Sequence, residues 1–161
     1  MTDEPRKPEP TEAELIALLD GMADGWRTAM GVTFVRATKE EVVARLTVSA
    51  CHLQPLGIVH GGVYCGLVET VASVAAGLNT VPDERYPVGL ENHTTFLRAV
   101  RGGTLTATAR PLTRGRRSHV WSVEIVDADG RVAATGSVRL LVLEGGSELA
   151  GSGTALRARE G

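Results

Sequence analysis

One glutamate lies within an otherwise apolar stretch whose spacing predicts a long helix. Glu69 stands near the middle of HGGVYCGLVETVASVAAGLN, in which branched apolar residues keep helical spacing and small residues fill most other positions. A carboxylate there would lose much of its hydration, which is costly unless the group is paired or functional. The pattern leaves two interpretations of Glu69: a structural glutamate, paired with an arginine or exposed at a gap in the packing, or a general base or nucleophile.

Two glycines open the same predicted helix. At Gly61 and Gly62 the first backbone N–H groups have no acceptor within the helix and carry the positive end of its dipole. Without a Cβ atom they admit an oxygen closely, which suits an oxyanion site, although a Gly-Gly step can also be a plain turn. Eight residues, or about 12 Å of helix, separate Gly61 from Glu69. One carbonyl group could touch both only if they belonged to two subunits.

Three more polar residues lie near this helix. Ser73 falls one turn after Glu69 on the same face, where its hydroxyl could orient the carboxylate or bond back to a carbonyl. Gln54, in the preceding loop, could donate to a substrate, and His60 could cap the helix or act as a base. No G-x-S-x-G element accompanies them, and the cysteine and histidine spacing matches no usual zinc pattern. We therefore expect neither a serine triad nor a metal.

Basic residues crowd the start of a late strand. Arg114, Arg116 and Arg117 precede Ser118 there, and Arg98 lies in an earlier strand. Guanidinium groups match phosphate oxygens well, so these residues could hold a phosphate, or the cluster could be a solvated turn. The formal net charge of −2 gives no general attraction to nucleic acid or an anionic membrane.

The elements around these residues form one mixed domain of helices and strands. A capping box at Thr11 and Glu14 predicts a first helix, and two strands, a loop, the long helix and four strands follow. Short turns favour antiparallel pairing, with the long helix against one curved sheet. We predict a domain over 11–144 and flexible tails over 1–10 and 145–161. The predicted strands are 32–38, 42–49, 88–100, 104–112, 118–127 and 131–143.

Composition indicates the compartment. At 161 residues the chain fits one domain. Two cysteines and a polar, proline-rich N-terminus favour a reduced, cytoplasmic protein without a secretory signal. No uncharged apolar run is long enough to predict a transmembrane helix.

Three stretches together resemble the hotdog-fold acyl-CoA thioesterase superfamily: LQPLGIVHGGVYCGLVETVASVAA, VGLENHTTFLRAVRGG and the strand after Arg114. Within it the chain looks closest to 4-hydroxybenzoyl-CoA thioesterases with glutamate on the central helix, and it is similar to phenylacetate-pathway thioesterases, which have aspartate there. The resemblance implies an α+β hotdog fold, in which an antiparallel curved sheet wraps around a long central helix.

The resemblance also implies a role for each matching residue. Gly61 would polarise the thioester carbonyl, and Glu69 would act as nucleophile or as general base on water. Ser73 would handle the attacking water, Gln54 would lie near the carbonyl, and His60 would have an orienting role. The CoA part would be bound by Gly62, Arg98, Arg116, Arg117 and Ser118.

We therefore expect a thioester hydrolase that converts a small aryl or short- to medium-chain acyl-CoA to free acid and CoA, without a separate cofactor. Val63, Leu67 and Val71 would admit either kind of acyl group. His119 and Val120 replace aromatic positions of the family, so an aryl preference is not carried over.

Relatives place the site at a dimer interface and pair dimers, which implies a homotetramer. We expect no nucleic acid or membrane partner. A non-catalytic acyl-CoA-binding hotdog protein is the main alternative, and a hydratase would need an Asp/His pair that we do not find.

Overall fold

The computed structural model describes residues 10–22 and 25–156. Its helices are α1 (Glu12–Asp20), α2 (Gly25–Ala29) and α3 (Gly61–Thr80), with 3-10 turns at Ala50–His52 and Val81–Asp83. Its strands are β1 (Val32–Ala37), β2 (Val42–Thr47), β3 (Arg85–Phe96), β4 (Thr104–Arg114), β5 (Ser118–Val126), β6 (Val132–Glu144), β7 (Glu148–Leu149) and β8 (Ser152–Gly153).

Six strands form one antiparallel sheet in the order β1-β2-β4-β5-β6-β3. Helix α3 lies between β2 and β3 in sequence and packs against β2, β3, β4, β5 and β6. The predicted antiparallel sheet around a central helix, the hotdog fold, is confirmed. Strand β3 pairs only with β6, so its other edge carries free backbone groups within the described chain.

The core lies between α3 and the inner face of the sheet. Alternate residues of β2, β4 and β5 are buried, as the period of two requires for a sheet with one covered face. From α3 they meet Leu67, Val68, Val71, Ala72 and Ala75, none of which is exposed. By length and composition Gly61–Asp83 could also cross a membrane, but here its apolar side is the centre of the fold.

The predicted capping box opens α1. Thr11 Oγ1 accepts from the Glu14 N–H at 3.3 Å, and the Glu14 carboxylate accepts from the Thr11 N–H at 2.8 Å. Helix α2 was not predicted, because five residues give too little periodicity. It buries Arg27, whose guanidinium donates to Asp20 and to the Leu19 carbonyl, both at 3.2 Å.

The predicted ends of the other five main strands differ from the structure by no more than two residues, whereas β3 and the predicted C-terminal tail differ more. Strand β3 begins at Arg85 rather than Val88 and ends at Phe96 rather than Val100, since the next two N–H groups both donate to the Ala133 carbonyl and end the ladder. Within the predicted tail 145–161, β7 and β8 form a two-stranded hairpin. Residues 1–9 and 157–161 lie outside the described residues, so the flexible tails and the domain limits 11–144 stay predictions.

Candidate active site

Glu69 lies on the side of α3 that faces away from the core, and both carboxylate oxygens accept hydrogen bonds. Ser73 Oγ donates to Oε1 at 3.3 Å, and Asn92 Nδ2 of β3 donates to Oε2 at 2.9 Å. The side chain is half-buried. No described arginine or lysine forms an ion pair with it, so the arginine-paired interpretation is wrong. Donors from two elements hold the carboxylate in one orientation.

Asn92 is the site residue that the sequence reasoning missed. Its amide also donates to the Cys65 carbonyl at 3.1 Å, and its Oδ1 accepts from Thr94 Oγ1 at 2.7 Å. These bonds use both amide hydrogens and fix which way the amide points. The signal was present in the NHT triplet, because residues two apart on a strand point to the same face.

Gly89 provides the space that Glu69 occupies. A Cβ atom at Gly89 would lie 2.5 Å from Glu69 Oε1. Any other residue at this place on β3 would displace the carboxylate. The helix, the strand and this gap together determine where the carboxylate lies.

His60 is the N-cap of α3, as one of its predicted alternatives required. Its Nδ1 accepts from the Gly62 N–H at 2.9 Å, so in the neutral ring the proton is on Nε2 and the histidine is a donor there. Because Gly62 is bonded to this cap, Gly61 offers the N–H at the dipole end of the helix. The Phe96 ring covers Gly61, 2.9 Å from where its Cβ would be.

Gln54 lies in a loop closed by a bridge between Leu53 and Val59. Its Oε1 accepts from the Leu56 N–H at 3.1 Å, while Nε2 bonds to no described residue. Arg101 fixes the same loop by donating to the Leu56 carbonyl at 2.9 Å. The loop therefore holds the side-chain oxygen of Gln54 and leaves its amide hydrogens available.

The predicted phosphate-binding residues lie at opposite ends of the domain. Arg98 follows β3 near the start of α3, and its N–H donates to the Ala133 carbonyl at 3.1 Å. Arg116, Arg117 and Ser118 lie beyond the other end of α3, whose 20 residues span about 30 Å. One subunit cannot bring both groups to the same phosphate.

A cavity of about 280 Å³ lies at that far end, lined by Asn79, Arg85, Arg114, Gly115, Arg116 and His119. Its guanidinium groups are already paired: Arg85 with Asp83 at 3.0 Å, Arg114 with Glu40 at 2.7 Å and Arg116 with Glu144 at 3.6 Å. Arg98 and Arg117 form no ion pair with a described residue. Among the predicted phosphate-binding arginines, these two are the ones without a carboxylate partner in the described chain.

His119 contributes a buried imidazole to this cavity. The residue is 4% exposed, and its Nδ1 has no hydrogen-bond partner among the described residues. Burial, followed by the charges of Arg85 and Arg114, lowers the pKa of His119 from its usual 6.5. The ring therefore stays neutral at neutral pH.

The predicted acyl-lining residues are placed elsewhere. Val63, Leu67 and Val71 are buried against the sheet, on the side of α3 opposite to Glu69. When a helix is apolar on both sides, its period of 3.6 residues does not show which side packs against the core. In the described chain these three therefore give no apolar surface on the side of α3 that carries Glu69.

The cysteines do not form a metal site with their neighbours. Cys51 and Cys65 are both free thiols, and Cys51 Sγ lies 3.2 Å from Ser49 Oγ. Across residues 10–22 and 25–156, no group of three or more His, Cys, Asp and Glu side chains could hold a metal ion.

Residues 56–134 match the family model described as Thioesterase superfamily. An esterase-named protein of Mycobacterium tuberculosis is 43% identical over 117 residues, covering 71% of this chain and 84% of that one. Its structure has a TM-score of 0.74 at 40% identity, over 75% of this chain and 98% of that chain. A Pseudomonas aeruginosa thioesterase, solved as a glutamine-to-alanine variant, has a TM-score of 0.75 at 28% identity, covering 85% and 96%. The 1,4-dihydroxy-2-naphthoyl-CoA hydrolase of Escherichia coli is 30% identical over 126 residues, covering 78% and 92%.

Proposed function

Since this chain belongs to the thioesterase superfamily and is a thioester hydrolase, we propose that Glu69 is its catalytic group and a small aryl or short- to medium-chain acyl-CoA its substrate. The proposal rests on the position of the Glu69 carboxylate, which Ser73 and Asn92 hold on the accessible side of α3. The free N–H at the start of the same helix supplies the second requirement of acyl transfer, a donor for the developing oxyanion.

The reaction can follow two routes. In one, Glu69 takes a proton from water, the water oxygen attacks the thioester carbon, the C–S bond breaks and CoA leaves as a thiolate that is then protonated. In the other, the carboxylate attacks, CoA leaves, and water hydrolyses the resulting anhydride. Both give free acid and CoA. Gly61 N–H and Gln54 Nε2 are the donors we assign to the carbonyl oxygen, and His60 positions Gly61 through its cap.

A second subunit is needed to bring Gly61 and Glu69 together. Strand β3 offers the pairing edge: it has 12 residues, whereas β1 at the other edge has six. Long unpaired edges are sites of chain association. We infer that two β3 strands pair antiparallel about a two-fold axis.

The register of that pairing follows from the contacts. Glu69 lies against Gly89, and Gly61 lies against Phe96. A two-fold axis at His93 pairs Asn92 with the partner's Thr94, and because the bulge at Leu90 takes up one residue, it places the partner subunit's Gly89 opposite Phe96. Both positions point toward α3, as directly opposed residues of an antiparallel pair must. A slip of one residue would put them on opposite faces.

The same pairing would bring Arg98 of one subunit near the Arg117 end of the other, although the two residues lie at opposite ends of a single subunit. The end of one β3, with Arg98, then lies beside the start of the partner's β3, where Arg85 Nη1 donates to the Arg116 carbonyl. We assign the CoA phosphates to Arg98 of one subunit and to Arg117 of the other, with Arg116, Ser118 and Gly62 contacting the rest of the CoA. Guanidinium groups without a carboxylate partner keep their charge for phosphate.

We infer that dimers pair further through the outer face of the sheet. Leu112 is 64% exposed and Leu141 is 36% exposed there, and pairing through this face would remove their apolar surface from water. A tetramer by light scattering that becomes a dimer in Leu141→Glu supports this, and a dimeric wild type contradicts it.

The main test is turnover of benzoyl-CoA and hexanoyl-CoA, with the released thiol measured. We expect Glu69→Gln to lower kcat by about 10²–10⁴-fold with little change in KM. Glu124→Gln, an exposed carboxylate on β5, is the matched control and should leave kcat unchanged. Retained turnover in Glu69→Gln would exclude Glu69, and binding without thiol release by the wild type would favour the non-catalytic alternative.

A mixing experiment tests whether the site spans two subunits. Gly61→Pro removes the N–H but suits the first helical position, and His60 already has the extended backbone that precedes proline (φ −67°, ψ 137°). Its new Cβ has to displace the Phe96 ring, which is 53% exposed and therefore has solvent to move into. Separately inactive Glu69→Gln and Gly61→Pro subunits, once mixed by refolding, should regain about a quarter of wild-type activity, because half the dimers carry one complete site. Mixing Glu69→Gln with the double variant is the control. No recovery over that control would contradict a shared site.

A further inference from the structure

Trp26 of α2 lies directly on α3. A Cβ atom at Gly66 would overlap the six-membered ring of this indole, so the aromatic ring rests on the helix backbone itself. The Trp26 residue is 38% exposed. Part of a large apolar surface is thus packed on α3 and part is open.

The position of this contact relates Trp26 to the candidate active site. Gly66 precedes Glu69 by three residues and Ser73 by seven, so all three share one side of α3. Side chains three residues apart on a helix have Cβ atoms about 5–6 Å apart. The indole ring therefore lies one turn from the carboxylate.

The opposite boundary of this side is β3, which contributes Asn92 beside Glu69 and Phe96 over Gly61. Between β3 and Trp26 this side of α3 carries no apolar side chain, because Gly62 and Gly66 have none. A thioester attacked at Glu69, with its carbonyl oxygen on the N–H of the partner subunit's Gly61, puts its acyl group at Glu69, one turn from Trp26. The apolar side chains of α3 that could have contacted it are buried in the core.

We propose that Trp26 is a specificity-determining residue that contacts the acyl group and favours a flat aryl group over a flexible chain. The proposal rests on the function proposed for Glu69. The indole ring is rigid, and the neighbouring glycines have no side chain that would keep a second ring from stacking on it in an offset arrangement. Such stacking adds to the free energy gained from apolar contact alone. A flexible chain gains only the apolar contact and loses rotational freedom on binding.

The test is the ratio of kcat/KM for benzoyl-CoA to that for hexanoyl-CoA. We expect Trp26→Ala to lower this ratio about 5- to 10-fold, the equivalent of one aromatic pair, and Trp26→Phe to retain most of it. An unchanged ratio in Trp26→Ala, with folding verified by circular dichroism, would overturn the proposal.

A second measurement separates this proposal from the role of Glu69. Benzoyl-CoA bound to Glu69→Gln should quench tryptophan fluorescence, and the quenching should be lost in Glu69→Gln/Trp26→Ala although Trp121 remains. Quenching that survives removal of Trp26 contradicts the contact. If Glu69→Gln keeps its turnover, the catalytic assignment fails, while a changed ratio in Trp26→Ala would still support the contact.

Discussion

The two sides of α3 differ in what their side chains do. The sheet side, Leu67, Val68, Val71, Ala72 and Ala75, has no exposed residue and contacts only the core. The open side, Gly62, Gly66, Glu69 and Ser73, is small or polar, and two other elements reach it. The residues of α3 that stabilise the fold and those placed for the reaction therefore lie on opposite sides of the same helix. We expect substitutions on the sheet side to change the free energy of unfolding, and those on the open side to change turnover.

Leu67→Ala should have the largest effect on stability. The side chain is fully buried, and such truncations cost about 2–5 kcal/mol because they remove apolar contact and leave a cavity. Urea denaturation measures the loss. For the folded fraction kcat should stay near wild type, whereas Glu69→Gln should lose turnover with a much smaller change in stability. Equal losses of turnover in the two variants would contradict the division between the sides.

Asn92→Ala should have the next largest effect, and this effect should be on turnover rather than on the free energy of unfolding. Removing a hydrogen bond to a charged group costs about 1.5–3 kcal/mol, so we expect kcat to fall about 10- to 100-fold while KM changes little. The control is Asn79→Ala, another asparagine that bonds to α3, whose amide donates to the Ala75 carbonyl at 2.8 Å. It should leave kcat unchanged. A fall in both variants would indicate general disturbance of α3.

The helices and strands with strong local signals could be predicted from the sequence. The helix expected within HGGVYCGLVETVASVAAGLN, a stretch whose last residue is Asn79, ends at Thr80, and α1 opens at the predicted capping box. These features depend on residues close in sequence. Helix α2 has no such signal, and β3 was misplaced at both ends because its limits depend on pairing with β6.

The site was predictable in part for the same reason. Glu69, Ser73 and His60 act through residues within four positions, and the structure shows their contacts. Asn92 and Trp26 reach α3 from elements far away in sequence. The NHT triplet shows that Asn92 and Thr94 share a strand face, but it does not show that this face meets α3. The side of α3 on which Val63 and its neighbours lie could not be predicted without the sheet, because both sides of α3 are uncharged except at Glu69.

Gly66→Ala tests the contact on which the open side depends. With Trp26 present, the new methyl group would overlap the indole, and overpacking of this kind costs about 1–3 kcal/mol. In the Trp26→Ala background the same substitution should stabilise by up to about 1 kcal/mol, because alanine is the better helix former. Thermal unfolding of the four proteins measures this change of sign. Additive effects would contradict direct contact between the two residues.

The smallest expected effect concerns His119, a polar residue on the sheet side of the molecule. Burial lowers its pKa below 6.5, with Arg85 and Arg114 adding to the effect. The folded protein therefore binds fewer protons than the unfolded chain once the pH falls below 6.5. Above pH 6.5 the neutral ring makes its full contribution to the free energy of unfolding. As the pH is lowered, this contribution decreases, and the decrease stops once the pH is below the folded-state pKa.

The comparison with His119→Phe isolates this contribution. The free energy of unfolding of the wild type should fall more steeply below pH 6.5 than that of the variant, by at most about 1.4 kcal/mol per pH unit, because one proton is involved. Carboxylates such as Asp127, whose pKa is lowered mainly by the Arg131 N–H, titrate in both proteins and cancel in the difference. At pH 7.5 and saturating substrate kcat should be the same in both, since the imidazole contacts neither Glu69 nor Gly61. Parallel stability curves would show that the ring titrates alike in the folded and unfolded chain, and a loss of kcat would contradict the separation of this imidazole from the reacting groups.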